Sequence, residues 1–432
     1  MKIKLYILLW CAPALLFSQL SLDSAVSIGL EQNLNIQVQR KNLEAANENF
    51  NPGMAGLYPS LSVGGSYNYS VGDFTQQLAN EPTERTIEDA VSENYSADVT
   101  VNYTLFDGLG RINNYRKLGL QKDLSETQLR FTIENTLLQV YSSYFEVARL
   151  NGQLSVAKEA VVLSLDRFVR AKTAFEIGGG SRLDFLSAEV DLNTDSVALL
   201  NAEASFSKRL RTLSQVLNFP VDSTYTLDTT VVLQRITDYA ALKQNALNNN
   251  AALIQAEYNR QISKKDIAIA WSDYAPNISA SGGYQFSRQD NEGSFLQFTQ
   301  NQGWQGGITA RWTLFNGNRT KTQIELAKIN LDRSTLEVEA AKQQLEVDLS
   351  NAWIDYENSL LIRKLEGRNL DVAKLNYTRS KEAYQLGQIN NTQLREAQLN
   401  YINTKVRYKN LGFSLKIVEV ELLRVGGLLL TE

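Results

Sequence analysis

The sequence predicts a mostly α-helical, internally duplicated chain in which two β-hairpins alternate with very long helical hairpins. Three observations carry that prediction. The word Thr104, Leu105, Phe106, Asp107, Gly108 returns as Thr313, Leu314, Phe315, Asn316, Gly317, which sets Phe106 on Phe315 at an offset of 209 residues. Each copy ends a segment of strict apolar/polar alternation and opens a proline-free stretch of about 67 residues, close to 100 Å of helix at about 1.5 Å per residue. Along those stretches Leu124, Phe131, Leu138 and Phe145, then Ile324, Leu331, Val338, Leu345 and Ala352, recur every seven residues. That period draws an apolar seam suited to coiled-coil-like packing rather than to a globular core. The chain is therefore read as two copies of one module, 19–217 and 237–432, joined by a linker at 218–236.

Taken in order, the N-terminus reads Met1, Lys2, Ile3, Lys4 and then an apolar run over 5–17. A helix that crosses a bilayer needs about 20 such residues, so this run fits a signal peptide with cleavage after Ser18. Lipidation at Cys11 is the lesser reading, because Trp10 is bulky where a small residue is expected. With the leader removed the chain has no cysteine and no disulfide.

Residues 22–57 read as one helix, stopped by Tyr58 and Pro59 because proline cannot continue it. Leu61, Val63, Tyr67, Tyr69 and Val71 then alternate with small polar residues as a strand, 73–94 reads as a polar loop, and 95–105 alternates again. The second copy repeats the order: helix 237–274, Pro276, strand 278–286, loop 288–302 and strand 304–314. The hairpins are thus 59–106 and 276–315, the first with about eight extra residues in its loop. Gly178 with Gly179 and Gly180, and Gly387 in the other copy, turn each long helix into a returning one, 183–217 and 392–425.

Composition excludes several functions. There is no histidine, so the commonest general base and zinc ligand are missing, and no Gly-rich phosphate loop or nucleophile constellation replaces them. An enzyme is not expected, nor any cofactor or metal. The net charge of −4 with dispersed signs gives no footprint for nucleic acid.

Four strands apolar on one face and small or polar on the other match transmembrane β-strands in length and period. Tyr58, Trp271, Tyr274, Phe106 and Phe315 stand where helix meets strand, the place of an interfacial aromatic belt. A sheet in lipid must close, and single-chain barrels start at eight strands, so four strands per chain require oligomers. Eight strands leave an interior filled by side chains whereas twelve leave a channel, and the small polar inner face favours the trimer. At the seam, Asp107–Gly108 and Asn316–Gly317 let strand become helix, with Phe106 and Phe315 beside them.

These words, in this order and duplicated over the mature chain, resemble the TolC-like outer membrane efflux protein family. The carriers are Tyr58, Pro59, Ser60, Leu61 and Ala275, Pro276, Asn277, Ile278, the two Thr-Leu-Phe words, and Phe175 to Gly178 with Tyr384 to Gly387. The resemblance implies a homotrimer in the outer membrane of a Gram-negative bacterium. A twelve-stranded barrel would there continue into a twelve-helix periplasmic tunnel that carries small molecules or proteins passively. It also implies a periplasmic adaptor and an inner-membrane RND or ABC transporter as partners. Counting from the tip glycines, it places Asp184, Gln393 and Glu396 at the periplasmic constriction, with Arg182 and Arg395 supplying tip contacts. Members with a strongly acidic constriction carry Asp at the positions of both Gln393 and Glu396, so Gln393 weakens a double ring and leaves Glu396 as the better candidate. On the residues alone these charges also read as solvated helix ends. The competing function is a non-conducting coiled-coil scaffold of the envelope, against which the small inner strand residues argue.

Overall fold

The computed structural model describes residues 19–77, 83–221, 226–227, 231–292, 296–386, 388–389 and 391–430. The signal peptide, Gly387 and parts of the 218–236 linker therefore lie outside the described residues. In chain order the elements are β1 (Gln19–Leu20), α1 (Leu22–Gln32), α2 (Leu34–Asn49), β2 (Ser60–Gln76), β3 (Arg85–Phe106), α3 (Gly110–Glu176) and α4 (Arg182–Leu217). The second copy gives β4 (Thr226–Leu227), α5 (Tyr239–Asn249), α6 (Ala251–Ser272), β5 (Asn277–Asn291), β6 (Phe298–Arg311), α7 (Arg319–Gln385) and α8 (Asn391–Val425). Both long helices run 67 residues without a break.

Two compact units emerge, each drawing on both repeats: Leu43–Ser125 with Ala256–Val338, and Met1–Asn42 with Glu126–Gln255 and Glu339–Glu432. The first holds a four-stranded antiparallel sheet in the order β2-β3-β5-β6. The second holds the helical hairpins and the parallel pair β1-β4, in which the predicted linker contributes a strand.

Three sequence expectations change. The helix expected over 22–57 is two helices broken at Asn33, and that over 237–274 is broken at Asn250. Both asparagines have extended backbone, and each side chain caps the next helix. Asn33 Oδ1 accepts from the N–H groups of Asn35 and Ile36, and Asn250 Oδ1 from those of Ala252 and Leu253. Their Nδ2 groups donate to Val216 O and Val425 O, at 2.8 and 3.1 Å, so each break is tied to the end of a returning helix.

The segments read as loops are largely strand, since β2 runs to Gln76, β3 starts at Arg85, β5 reaches Asn291 and β6 starts at Phe298. A ladder needs only paired backbone groups, and polar cross-strand contacts sustain it where apolar alternation stops. Thr75 and Thr86 hydroxyls meet at 3.0 Å, and Ser92 Oγ donates to Asn291 Oδ1 at 2.7 Å. The extra length of the first hairpin thus sits in longer strands. At the other end β6 stops at Arg311, before Trp312 and Leu314.

The heptad seam of α7 is buried as expected at Ile324, Val338, Leu345 and Ala352. On α3, however, Val140, Tyr144, Phe145, Val147 and Ala148 are all buried, in a cluster with Ala25 of α1, Leu213 and Leu217 of α4, and Phe413 of α8. This is a small core where a bare seam was expected. Tyr144 ties it to β1 by donating its hydroxyl to Leu20 O at 2.7 Å.

Candidate functional site

The register fixes what each face of the sheet carries. Residues directly opposite in an antiparallel pair share a face. Val63 pairs with Val99, Val99 with Tyr284 and Tyr284 with Trp304, so one apolar row crosses all four strands. The next row joins Ser62, Thr100, Gly283 and Gln305, and is polar or bare throughout. Among the described residues nothing covers the apolar face at Val63, 77 % exposed, or at Trp304, 84 % exposed. Among the described residues β2 and β6 each pair on one side only, which leaves two free edges. No described helix is long and apolar enough to cross a membrane.

The expected junction residues meet around the strand ends. Gly108 and Leu109 both take left-handed backbone, with φ 69° and 70°, and Gly317 and Asn318 repeat it with 68° and 66°. Chain reversal from strand to helix uses this pair of positive angles in both copies, which glycine adopts freely and other residues only at a cost. The glycines differ in their surroundings. A Cβ on Gly108 would lie 2.6 Å from Ala275 Cβ and 2.7 Å from Ser272 O, whereas one on Gly317 meets nothing within 4 Å.

Sequence reasoning overlooked Arg111, the organiser of the first junction. Its Nε bonds Asp107 Oδ2 at 3.1 Å, its Nη groups donate to Gly56 O and Thr104 O, and its guanidinium lies 5.8 Å from the Tyr103 ring centroid. The spacing of Asp107 and Arg111, four apart at a helix start, was the available signal. In the second copy Asn316 and Thr320 replace the pair with a 2.8 Å neutral hydrogen bond.

Aromatics expected as a belt are exposed: Tyr58, Trp271, Tyr274, Phe106 and Phe315 all stand out from the fold. Trp271 and Tyr274 rings lie 5.6 Å apart, and Trp312 joins them by donating Nε1–H to Tyr274 O at 3.0 Å.

At the helix ends, Gly178 takes φ 76°, and the N–H groups of Gly178 and Gly179 cap Phe175 O and Ala174 O at 3.1 and 2.8 Å. This is the glycine C-cap that ends a helix in a left-handed residue. Gln388 N–H repeats it on Ala383 O at 2.9 Å. Asp184 is exposed and serves the start of α4, where Ser181 Oγ accepts from Asp184 N–H at 3.1 Å and donates to Asp184 Oδ2 at 2.7 Å. Arg182, Gln393 and Glu396 are exposed.

Arg395 is held elsewhere, on Asp195 of α4 at 3.2 Å, with both side chains mostly buried. One turn away along α4, Asp191 receives Arg167 of α3 at 3.1 Å. The structure thus brings two arginines onto a carboxylate ladder at positions 191 and 195, which sequence reasoning did not single out. It leaves Asp184 and Glu396 free of that ladder.

Farther along the same unit, Glu134 is buried and bonded to Arg130 Nε at 2.9 Å. Burial outweighs the neighbouring Arg130 and Arg424 charges and holds its carboxyl above the ordinary range.

A half-apolar sheet with two free edges, in a duplicated chain of long helical hairpins, defines the class of outer-membrane efflux proteins. The chain belongs to the outer membrane efflux protein family, whose sequence pattern matches residues 25–218 and again 242–427. It is an outer-membrane protein. It is similar to the probable outer membrane lipoprotein SilC of Salmonella typhimurium, 21% identical over 416 residues, which cover 92% of this chain and 84% of SilC. The outer membrane efflux protein BepC of Brucella suis is 22% identical over 398 residues, covering 91% of this chain and 80% of BepC. The fold is shared with the CmeC outer membrane channel of Campylobacter jejuni, with a TM-score of 0.78 at 15% identity over 94% of this chain and 86% of that one. It is shared too with the open state of the Neisseria gonorrhoeae MtrE outer membrane channel, with a TM-score of 0.74 at 15% identity, covering 94% and 89% of the two chains.

Proposed function

We propose that this chain is the protomer of a passive exit duct. Three copies close their sheets edge to edge, β6 of one on β2 of the next, into a twelve-stranded barrel with the apolar face on outer-membrane lipid. The carrying observation is the pair of free edges flanking an uncovered apolar face, an arrangement that lipid tolerates only when closed. Twelve strands rather than eight follow from the small inner residues, which cannot fill a lumen but can line a wet one. The long helices of three copies form the periplasmic tunnel. A periplasmic adaptor and an inner-membrane RND or ABC transporter load it, and the duct itself supplies no energy. Relatives named for efflux, and the alkaline protease secretion protein AprF of Pseudomonas aeruginosa, 22% identical, support both small molecules and proteins as cargo.

Asp184 and Glu396 charge the tunnel entrance in this reading, with Gln393 as a neutral neighbour and Arg182 supplying tip contacts. Both carboxylates are exposed beside the helix turns, where three symmetric copies would favour cations. Purified trimers in planar bilayers test the duct. Conductance is expected, and Asp184→Ala with Glu396→Ala should lower cation preference. Intact trimers without conductance would instead mean a scaffold, and conductance with unchanged selectivity would remove the two carboxylates from the entrance.

A further inference from the structure

The polar face of the sheet is nearly free of charge. Up to the bulge at Gly72 its registered rows carry Ser, Thr, Asn, Gln, Gly and Ala90, and its charged residues there are Asp98 on β3 and Arg311 at the end of β6. Beyond the bulge Arg85 joins this face opposite Gln76, thirteen residues from Asp98 along β3, roughly 44 Å at about 3.4 Å per residue. Glu93, Arg288 and Asp290 lie on the opposite, apolar face by the same register. Asp98 stands in the middle of its row, opposite Gly64 on β2 and Gln285 on β5. The bare position at Gly64 makes room for it, since a Cβ there would sit 2.6 Å from Asp98 Oδ1. Thr100 donates its hydroxyl to Oδ2 at 3.0 Å, and among the described residues no cation forms an ion pair with it.

We infer that Asp98 is a specificity-determining residue of the wide, barrel end of the conduit, a fixed negative charge that enriches cations in the lumen. The inference rests on the duct reading, which turns the polar face inward and repeats Asp98 three times at one height. Arg311 does not cancel this charge. Asp98 is level with Gln285 and so with Gly303, and Arg311 lies eight residues farther along β6. That is roughly 27 Å at about 3.4 Å per residue. The screening length in physiological salt is about 8 Å, so the carboxylates and guanidiniums act on ions separately. Serines, threonines and amides around Asp98 hydrate passing ions of either sign, which leaves the carboxylate to decide the sign preferred.

The test uses full-length trimers in planar bilayers, in the Asp184→Ala/Glu396→Ala background so that the two proposed entrance carboxylates are absent, with a KCl gradient around physiological ionic strength. Asp98→Asn is expected to move the zero-current potential toward that of an unselective pore. Adding Ser96→Asp, on the same face, should restore it, and the difference should shrink as salt is raised. Asp98→Cys serves as a second variant that needs no isosteric partner: anionic and cationic thiol reagents should drive the potential in opposite directions. Conducting channels whose potential ignores Asp98→Asn and both reagents would overturn this inference and leave the duct standing. Trimers that never conduct would overturn both.

Discussion

Asn33 and Asn250 show how much one side chain decides. Each stops a helix, starts the next and clasps the end of a returning helix. Asn250→Ala removes the cap and leaves Val425 O without its donor in a buried setting, a loss of about 1–2 kcal/mol. It should appear as earlier thermal dissociation of the detergent-solubilised protein, with Asn250→Asp recovering the cap but not the bond to Val425. Glu134 gives a pH signature. Because its carboxyl is raised in the folded state, its protonation stabilises the fold. That contribution is complete below the ordinary carboxylate range and is lost as pH rises through the raised value. Glu134→Gln carries no such titration, so its melting temperature relative to the parent should climb from about pH 4 toward neutrality. A difference that stays flat with pH would mean that Arg130 and Arg424 cancel the effect of burial there.

At the scale of elements, the two strand-to-helix junctions share a backbone and differ in surroundings. Symmetric sequence words led to the expectation that Gly108 and Gly317 matter alike. Both substitutions incur the left-handed backbone penalty of about 1–2 kcal/mol. Gly108→Val alone also drives a side chain into Ala275 and Ser272. Trimer yield should therefore fall much further for Gly108→Val than for Gly317→Val. Equal yields would imply that a neighbouring copy packs against Gly317 as tightly as Ser272 packs against Gly108. Arg111→Ala should weaken the first junction more than Thr320→Ala weakens the second, since the arginine bonds Asp107, Gly56 and Thr104 together.

At the scale of the whole molecule, the proposed duct requires the sheet to close between copies, and closure would decide the oligomer. Cysteines scanned in pairs, one on β2 and one on β6, can bridge only between copies, because those strands are the outer members of the sheet. The covalent ladder should end at three chains. A ladder that ends at two would mean an eight-stranded barrel and a filled interior.

Much of the fold was legible in the sequence, because duplication, period two in the strands and period seven in the helices are local consequences of what backbone and solvent demand. Gly178 and the paired glycines at 108 and 317 could be placed by the same reasoning, since a reversal of the chain needs left-handed backbone somewhere. What the sequence could not decide depends on partners distant along the chain. Whether 22–57 is one helix or two turns on a carbonyl at Val216. Whether 73–94 is loop or strand turns on β2 and β3 continuing to pair with each other as far as Gln76 and Arg85. Arg395 reads as a tip charge until α4 brings Asp195 to it, and Asp98 reads as one polar residue among many until the register gathers an uncharged surface around it. Local pattern chose the elements; long-range pairing chose where they end, which charges meet and which stand alone.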